Sequence, residues 1–181
     1  MYSAWSVVFG EQPSAAKWNI LGTNDAYFDD YIDRTGFPVQ VVSTSSAATT
    51  SSTTTMPVDN TIPQNTEGFE VMTLSITPTS ATNKLVISVE TLSGNDTGNR
   101  NQAIALFQDS TVGALAATVQ FQSQSGGDIS LSLQHTMVAG TASSTTFKVR
   151  LGSSGAGTTT FGNGRFGGIP HSGITITEYK V

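Results

Sequence analysis

The strongest constraint on this chain is a two-residue alternation that returns, between turn clusters, from Phe37 to the last residue. Along Glu70 to Thr77, Met72, Leu74 and Ile76 share one parity, and Thr73, Ser75 and Thr77 the other. Successive side chains of a strand point to opposite faces, so this pattern writes a strand with one buried side. Pro78 ends it. Residues 39–43, 84–92, 102–109, 115–122, 128–137, 145–151 and 174–181 read as further strands. Gly94-Asn95-Asp96, Ser125-Gly126-Gly127, Ala139-Gly140-Thr141 and Ser153-Ser154-Gly155 read as turns between them. Strands recurring roughly every 10–15 residues with such turns predict a mainly β protein, an antiparallel β-sandwich of jelly-roll-like form. Residues 48–57 are nearly all Thr and Ser and read as a strand of low hydrophobicity or a loose loop. Met56-Pro57, Asp59-Asn60 and Pro63-Gln64-Asn65 punctuate a connection after it.

Composition narrows the function classes. About a quarter of the residues are Ser or Thr, and only 12% are charged. Thr packs well on a pleated surface, and 37% hydrophobic residues with so little charge is not the signature of disorder. The formal net charge is −5, with no basic stripe, which argues against nucleic acid as a partner. No cysteine is present, which removes disulfides, thiolate nucleophiles and cysteine-based metal sites, and leaves oligomerisation as the expected source of durability. No apolar run is long enough to insert in a membrane. The first residues lack the basic and apolar regions of a secretory signal, so a cytoplasmic origin is expected, with exit by lysis or as part of a particle.

Composition changes near Gly36. Residues 1–36 hold both tryptophans, Trp5 and Trp18, three of the four tyrosines and five of the thirteen acids. Residues 5–9 can form a short strand. Residues 13–21 can form a short helix, with Pro13 near its first position and Gly22 at its stop. A second helix capped by Asn24 or Asp25 can reach about Arg34, setting Tyr27 and Phe28 against Tyr31 and Ile32. So short a segment cannot bury these aromatics alone. Residues 1–36 are therefore expected to be an attachment segment, with Trp5, Phe9, Pro13, Trp18 and Phe28 as its contacts, and residues 37–181 the β-sandwich domain.

The run Phe9-Gly10-Glu11-Gln12-Pro13-Ser14-Ala15-Ala16-Lys17-Trp18-Asn19, followed by Gly22-Thr23-Asn24-Asp25, resembles the N-terminal element of small structural and fibre-like surface proteins of tailed bacteriophages and prophages. Ile62-Pro63-Gln64-Asn65-Thr66-Glu67-Gly68, Leu106-Phe107-Gln108-Asp109-Ser110, Thr145 to Arg150, Gly164-Arg165-Phe166-Gly167-Gly168 and Ile174 to Tyr179 resemble the β domain that often follows it. The resemblance implies a virion structural component, commonly a homotrimer, whose other partners are capsid, neck or tail proteins. It implies a virion-surface location. Met1 stands just before the motif, which leads us to expect a compact appendage rather than a long-shafted fibre. Two alternatives accompany this reading: a tail-associated protein that binds host surface polysaccharide, and a capsid cement protein.

The search for chemistry yields no catalytic, cofactor or metal assignment. His135 is expected on the polar face of its strand and His171 in a turn; neither has the spacing of a metal site. A histidine near a three-fold axis can still hold an ion through three copies. Asp25, Asp29, Asp30 and Asp33 lack the alternation of a calcium loop and read as a solvated helix face. Asn95, Asp96 and Asn99 read as a tight turn, with calcium or sugar binding as the sharper option. No Gly-x-Ser-x-Gly elbow is present, and Glu90 with Asp128 is only a conceivable pair for glycoside cleavage. The glycines of residues 162–168 permit tight turns and do not match a phosphate loop. Within these regions Asn95, Asp96, Arg165 and Phe166 are the candidates for contact with another subunit or a ligand.

Overall fold

A computed structural model describes residues 35–162, 164, 167 and 171–181. The strands in chain order are β1 Pro38–Ser46, β2 Thr50–Ser52, β3 Phe69–Ile76, β4 Lys84–Asn95, β5 Arg100–Gln108, β6 Ala116–Gln122, β7 Asp128–Val138, β8 Thr145–Ser153, β9 Thr159–Phe161 and β10 Ser172–Tyr179. The helices expected within residues 13–34 lie outside the described residues.

Two antiparallel sheets form the sandwich. Sheet I runs β1-β10-β4-β7, with β2 and β9 completing its outer half: β10 pairs β4 over Lys84 to Glu90, and β9 pairs it over Ser93 to Asn95. Since β1 and β2 follow one another along the chain, as do β9 and β10, each pair acts as one interrupted strand. Sheet II runs β3-β8-β5-β6. Eight strand positions result, four per sheet, and the chain crosses between sheets at every step except the β5–β6 pair. This is the jelly-roll order expected from the sequence.

The core lies between the sheets. Leu85, Ile87 and Val89 of β4, Ile174 and Ile176 of β10, Ile104 and Leu106 of β5, and Phe147, Val149 and Leu151 of β8 are almost wholly buried there. Each set is spaced by two, so the alternation seen in the sequence places one face inward and the other outward.

A second, smaller core lies on the outer face of sheet II. Met56, Ala103, Ala105 and Phe107 are buried together, with Ala114 against them. Their cover is the connection between β2 and β3, which crosses this face as a strap. Met56 N donates to Ser153 O at 2.9 Å and Gly68 N to Thr55 O at 2.8 Å. Farther along, Asn65 N donates to Val112 O and Ala114 N to Pro63 O. Arg150 anchors the end of the strap, its guanidinium donating to the carbonyls of Glu67 and Gly68 at 2.7 Å. Gly68 lets the strap lie this close: its φ is +58°, and a Cβ there would sit 2.5 Å from Leu151 O.

Glu178 closes the end of the sandwich from which β10 leaves. It has no exposed surface. Its Oε1 accepts from Thr79 N and Oγ1, Ser80 N and Asn83 Nδ2, the last at 2.7 Å. Burial pushes its pKa up, but hydrogen bonds from Asn83, Thr79 and Ser80 outweigh burial and hold it below the usual glutamate value.

Candidate functional site

The attachment residues Trp5, Phe9, Pro13, Trp18 and Phe28, and the contact candidates Arg165 and Phe166, lie outside the described residues. Asn95 and Asp96 are described, and the turn expected at Gly94-Asn95-Asp96 is corrected. Strand β4 continues through Asn95, because β7 pairs Gly94 with Asp128 and β9 pairs Asn95 with Thr159. Tertiary pairing has overridden a turn-forming composition. Asn95 is 1% exposed, so its side chain is no exposed contact. Its amide donates to Thr159 Oγ1 and accepts from Thr97 N, and Gln122, reaching across from sheet II, brackets its backbone at 2.9 and 2.7 Å. Asp96 is exposed just beyond. Hydrogen bonds from the Thr158 backbone lead in holding its carboxyl below the usual range.

The polar face expected for His135 is also corrected. His135 shares the parity of Leu131, Leu133 and Met137, and it is half-buried on the inward face of β7. His171 is exposed immediately before β10. Glu90 and Asp128 both face outward on sheet I, but Asp128 pairs with Gly94, four residues from Glu90. That offset is roughly 13 Å along the strand, beyond the spacing of glycosidase carboxylates. Among the described residues, no group of three or more His, Asp or Glu is placed to hold a metal ion.

What sequence reading missed is where the exposed apolar residues gather. Val58, Ile62, Val112, Val119 and Phe121 all lie on the sheet II side. Val119 pairs with Ala103, and Phe121 with Asn101, so both stand on the outer face of β6, the edge strand of sheet II. Between β6 and the strap lies a cavity of about 220 Å³, lined by Met56, Pro57, Val58, Ala103, Ala117 and Val119 among others. Phe121 is 57% exposed beside it. An apolar knob next to an apolar hollow on an edge strand is the anatomy of a protein-contact surface. The signal was present: Ala117, Val119 and Phe121 alternate on one face, but only the fold reveals that this face looks outward.

A second group, Val39, Val41, Val138 and Val181, surrounds one end of sheet I. Val181 also lines a cavity of about 510 Å³ at this end, whose other walls include Lys84, Val86, Gln134, Thr136, Tyr179 and Lys180. A third hollow, of about 350 Å³, lies beside the strap on sheet II and is polar, lined by Asn65, Glu70, Asp109, Ser110, Lys148 and Arg150 over Phe107.

No family model matches this chain, and no curated protein does. Among solved structures, the C-terminal domain of EclA, a sugar-binding protein, superposes with a TM-score of 0.35 at 14% identity, covering 76% of this chain and 79% of that one. A structure of infectious bursal disease virus, Gt strain, gives 0.38 at 11% identity, covering 80% of this chain and 39% of that one. A Bacillus endospore appendage, from a family of disulfide-linked pili, gives 0.29 at 15% identity, covering 78% and 89%. Likeness this distant carries no argument about function.

Proposed function

We propose that the protein is a non-enzymatic virion structural protein, a homotrimeric fibre or decoration module held to the particle through residues 1–36 and exposing its jelly roll. The observation that carries this reading is the apolar surface of Val58, Val119 and Phe121 beside edge strand β6. A second copy packed there removes the exposed ring of Phe121 from water and covers the unpaired edge. The concentration of tryptophan and tyrosine in residues 1–36 supports a separate contact with other virion proteins. The test is the solution mass of the full chain by light scattering. A trimer is expected, and Phe121→Asp is expected to give a monomer with an unchanged far-ultraviolet spectrum. A wild-type monomer at tens of micromolar would sink the assembly reading. Deleting residues 1–36 is expected to abolish particle attachment while the trimer persists.

One observation favours a second reading, recognition of host surface polysaccharide. The hollow of Asn65, Ser110 and Lys148 gathers hydrogen-bonding groups over the buried ring of Phe107. Binding of the folded trimer to a glycan array, lost in Lys148→Ala, supports it; no binding to any glycan removes it.

A further inference from the structure

We infer that the middle of the outer face of sheet I binds an extended, uncharged polysaccharide chain laid along the seam between β4 and β7. The site shares with the glycan reading above only the class of ligand, and places that ligand on the opposite sheet from Lys148.

Outward side chains of sheet I stand in cross-strand rows. Two of these run Ser43-Thr175-Ser88-Gln134 and Ser45-Gly173-Glu90-Ser132, and Leu92 stands beside Ser130 in the next. Hydroxyls and an amide therefore make up most of this stretch. Among the described residues, none of these six hydroxyls is hydrogen-bonded to another group of the protein. On the outer face of sheet II, by contrast, Ser75 and Thr146 bond one another across the strands at 2.8 Å. Each unbonded hydroxyl offers one donor and two acceptor positions. A ligand made of hydroxyls supplies the matching groups.

The shape is that of a trough. A hollow of about 250 Å³, lined by Ser88, Glu90, Ser132 and Gln134 among others, lies in the middle of the seam. It shares Glu90 and Ser132 with the hollow of about 330 Å³ that reaches Leu92, Ser130 and His171. It shares Gln134 with the hollow of about 510 Å³ that includes Val86, Thr136 and Tyr179. From Val86 to Leu92 this run covers about 20 Å along the strand. Small-molecule sites close around most of their ligand. A run of linked hollows walled by the exposed Ser130, Ser132 and Gln134 suits a polymer lying along it. Tyr179 in the wall at one end and His171 at the other add rings that combine a flat apolar body with a polar tip, the form that stacks on a sugar ring.

Charge and polarity select the occupant. In the middle hollow and the one at His171, Glu90 is the only Asp, Glu, Lys or Arg in the lining. No Lys or Arg there balances an anionic chain, and Glu90 repels one. A second copy of the protein fits poorly, because the centre of a protein interface is apolar and Leu92 is the one large apolar side chain pointing outward from these rows.

The test uses the full chain and an array of linear oligosaccharides, from disaccharide to octasaccharide, both uncharged and acidic. At least one uncharged series is expected to bind, about tenfold more tightly as a pentasaccharide than as a disaccharide, because a disaccharide reaches only part of the trough. Ser132→Ile narrows the trough on an exposed strand position and is expected to weaken that binding at least tenfold, with an unchanged far-ultraviolet spectrum. Gln134→Ala, which only removes an amide, is expected to weaken it about threefold. Lys148→Ala is expected to leave it unchanged. Binding that ignores chain length, or that survives both Ser132→Ile and Gln134→Ala, overturns the inference. Binding of acidic glycans alone, lost in Lys148→Ala, also overturns it and leaves the reading at Lys148 standing. Uncharged chains lost in Ser132→Ile and kept in Lys148→Ala uphold the trough and remove the hollow at Lys148. No binding to any glycan removes both.

Discussion

The outer faces of the two sheets begin from similar alternating strands and end differently. On sheet II the strap from β2 to β3 covers β5, so Ala103 to Phe107 is buried on both sides. On sheet I no described segment lies over β4, β10 and β7, and their outward residues other than Gly94 remain partly or fully exposed. The difference teaches that a strand's environment is set as much by the connection lying over it as by its own period. A small residue facing a strap, such as Ala105, and a small residue facing water, such as Ser132, are equally compatible with alternation.

The comparison breaks first at Phe107, which is 1% exposed beneath the strap. Phe107→Ala is expected to lose about 3–5 kcal/mol, whereas Ser132→Ala on the outward face of β7 is expected to stay within about 0.5 kcal/mol. Urea titration of both variants measures the pair, and similar losses would deny that the strap builds a second core.

Next in size is Gly68→Ala. The left-handed backbone alone costs about 1–2 kcal/mol, and the new Cβ would also meet Leu151 O, so the total is expected to exceed that. If the strap is held by this close approach, hydrogen exchange at the amides of Met56 and Gly68 should accelerate in the variant.

The smallest effect sharpens the comparison at Glu178. Its pKa is lowered in the folded protein, so its contribution to stability is present above the ordinary value of 4.5 and is lost as pH falls below it. Wild type should therefore lose stability through the range of about pH 5 to 3, and Glu178→Gln should show a shallower loss across that range in urea midpoints. Parallel profiles would mean that other carboxylates dominate.

Much of this was legible in the sequence. Met72 and Ile76, the isoleucines and leucines of β4 and β10, and the alternation around Phe147 all write their strands directly, because burial of one face forces the period. The strap was legible only as a punctuated connection at Met56 to Asn65. Nothing local says that Met56 turns inward over Ala103. Strand β9 escaped notice because three residues, Thr159 to Phe161, form no period and pair only through β4 and β2. Asn95 was misplaced for the opposite reason: its residue type favours turns, while Gln122 and Thr159, far away in sequence, satisfy its polar groups inside. The apolar hollow at Val58 and Val119 joins the strap to β6, and no short-range pattern joins those stretches.

One feature of the edge of sheet I reaches into mechanics. Strand β1 pairs with β10 from Pro38 to Ser46, beginning where the chain arrives beside Lys180. The loop at Ser125 to Gly127 lies at the opposite end, bonded to Asn95 and Gln124 beyond the far end of β4. A tether pulling on residue 36 against a load on that loop acts along the strands. The hydrogen bonds between β1 and β10 run perpendicular to them. Such a pull shears the ladder as a whole instead of unzipping it one bond at a time, so a module held by this end resists drag with its full strand length.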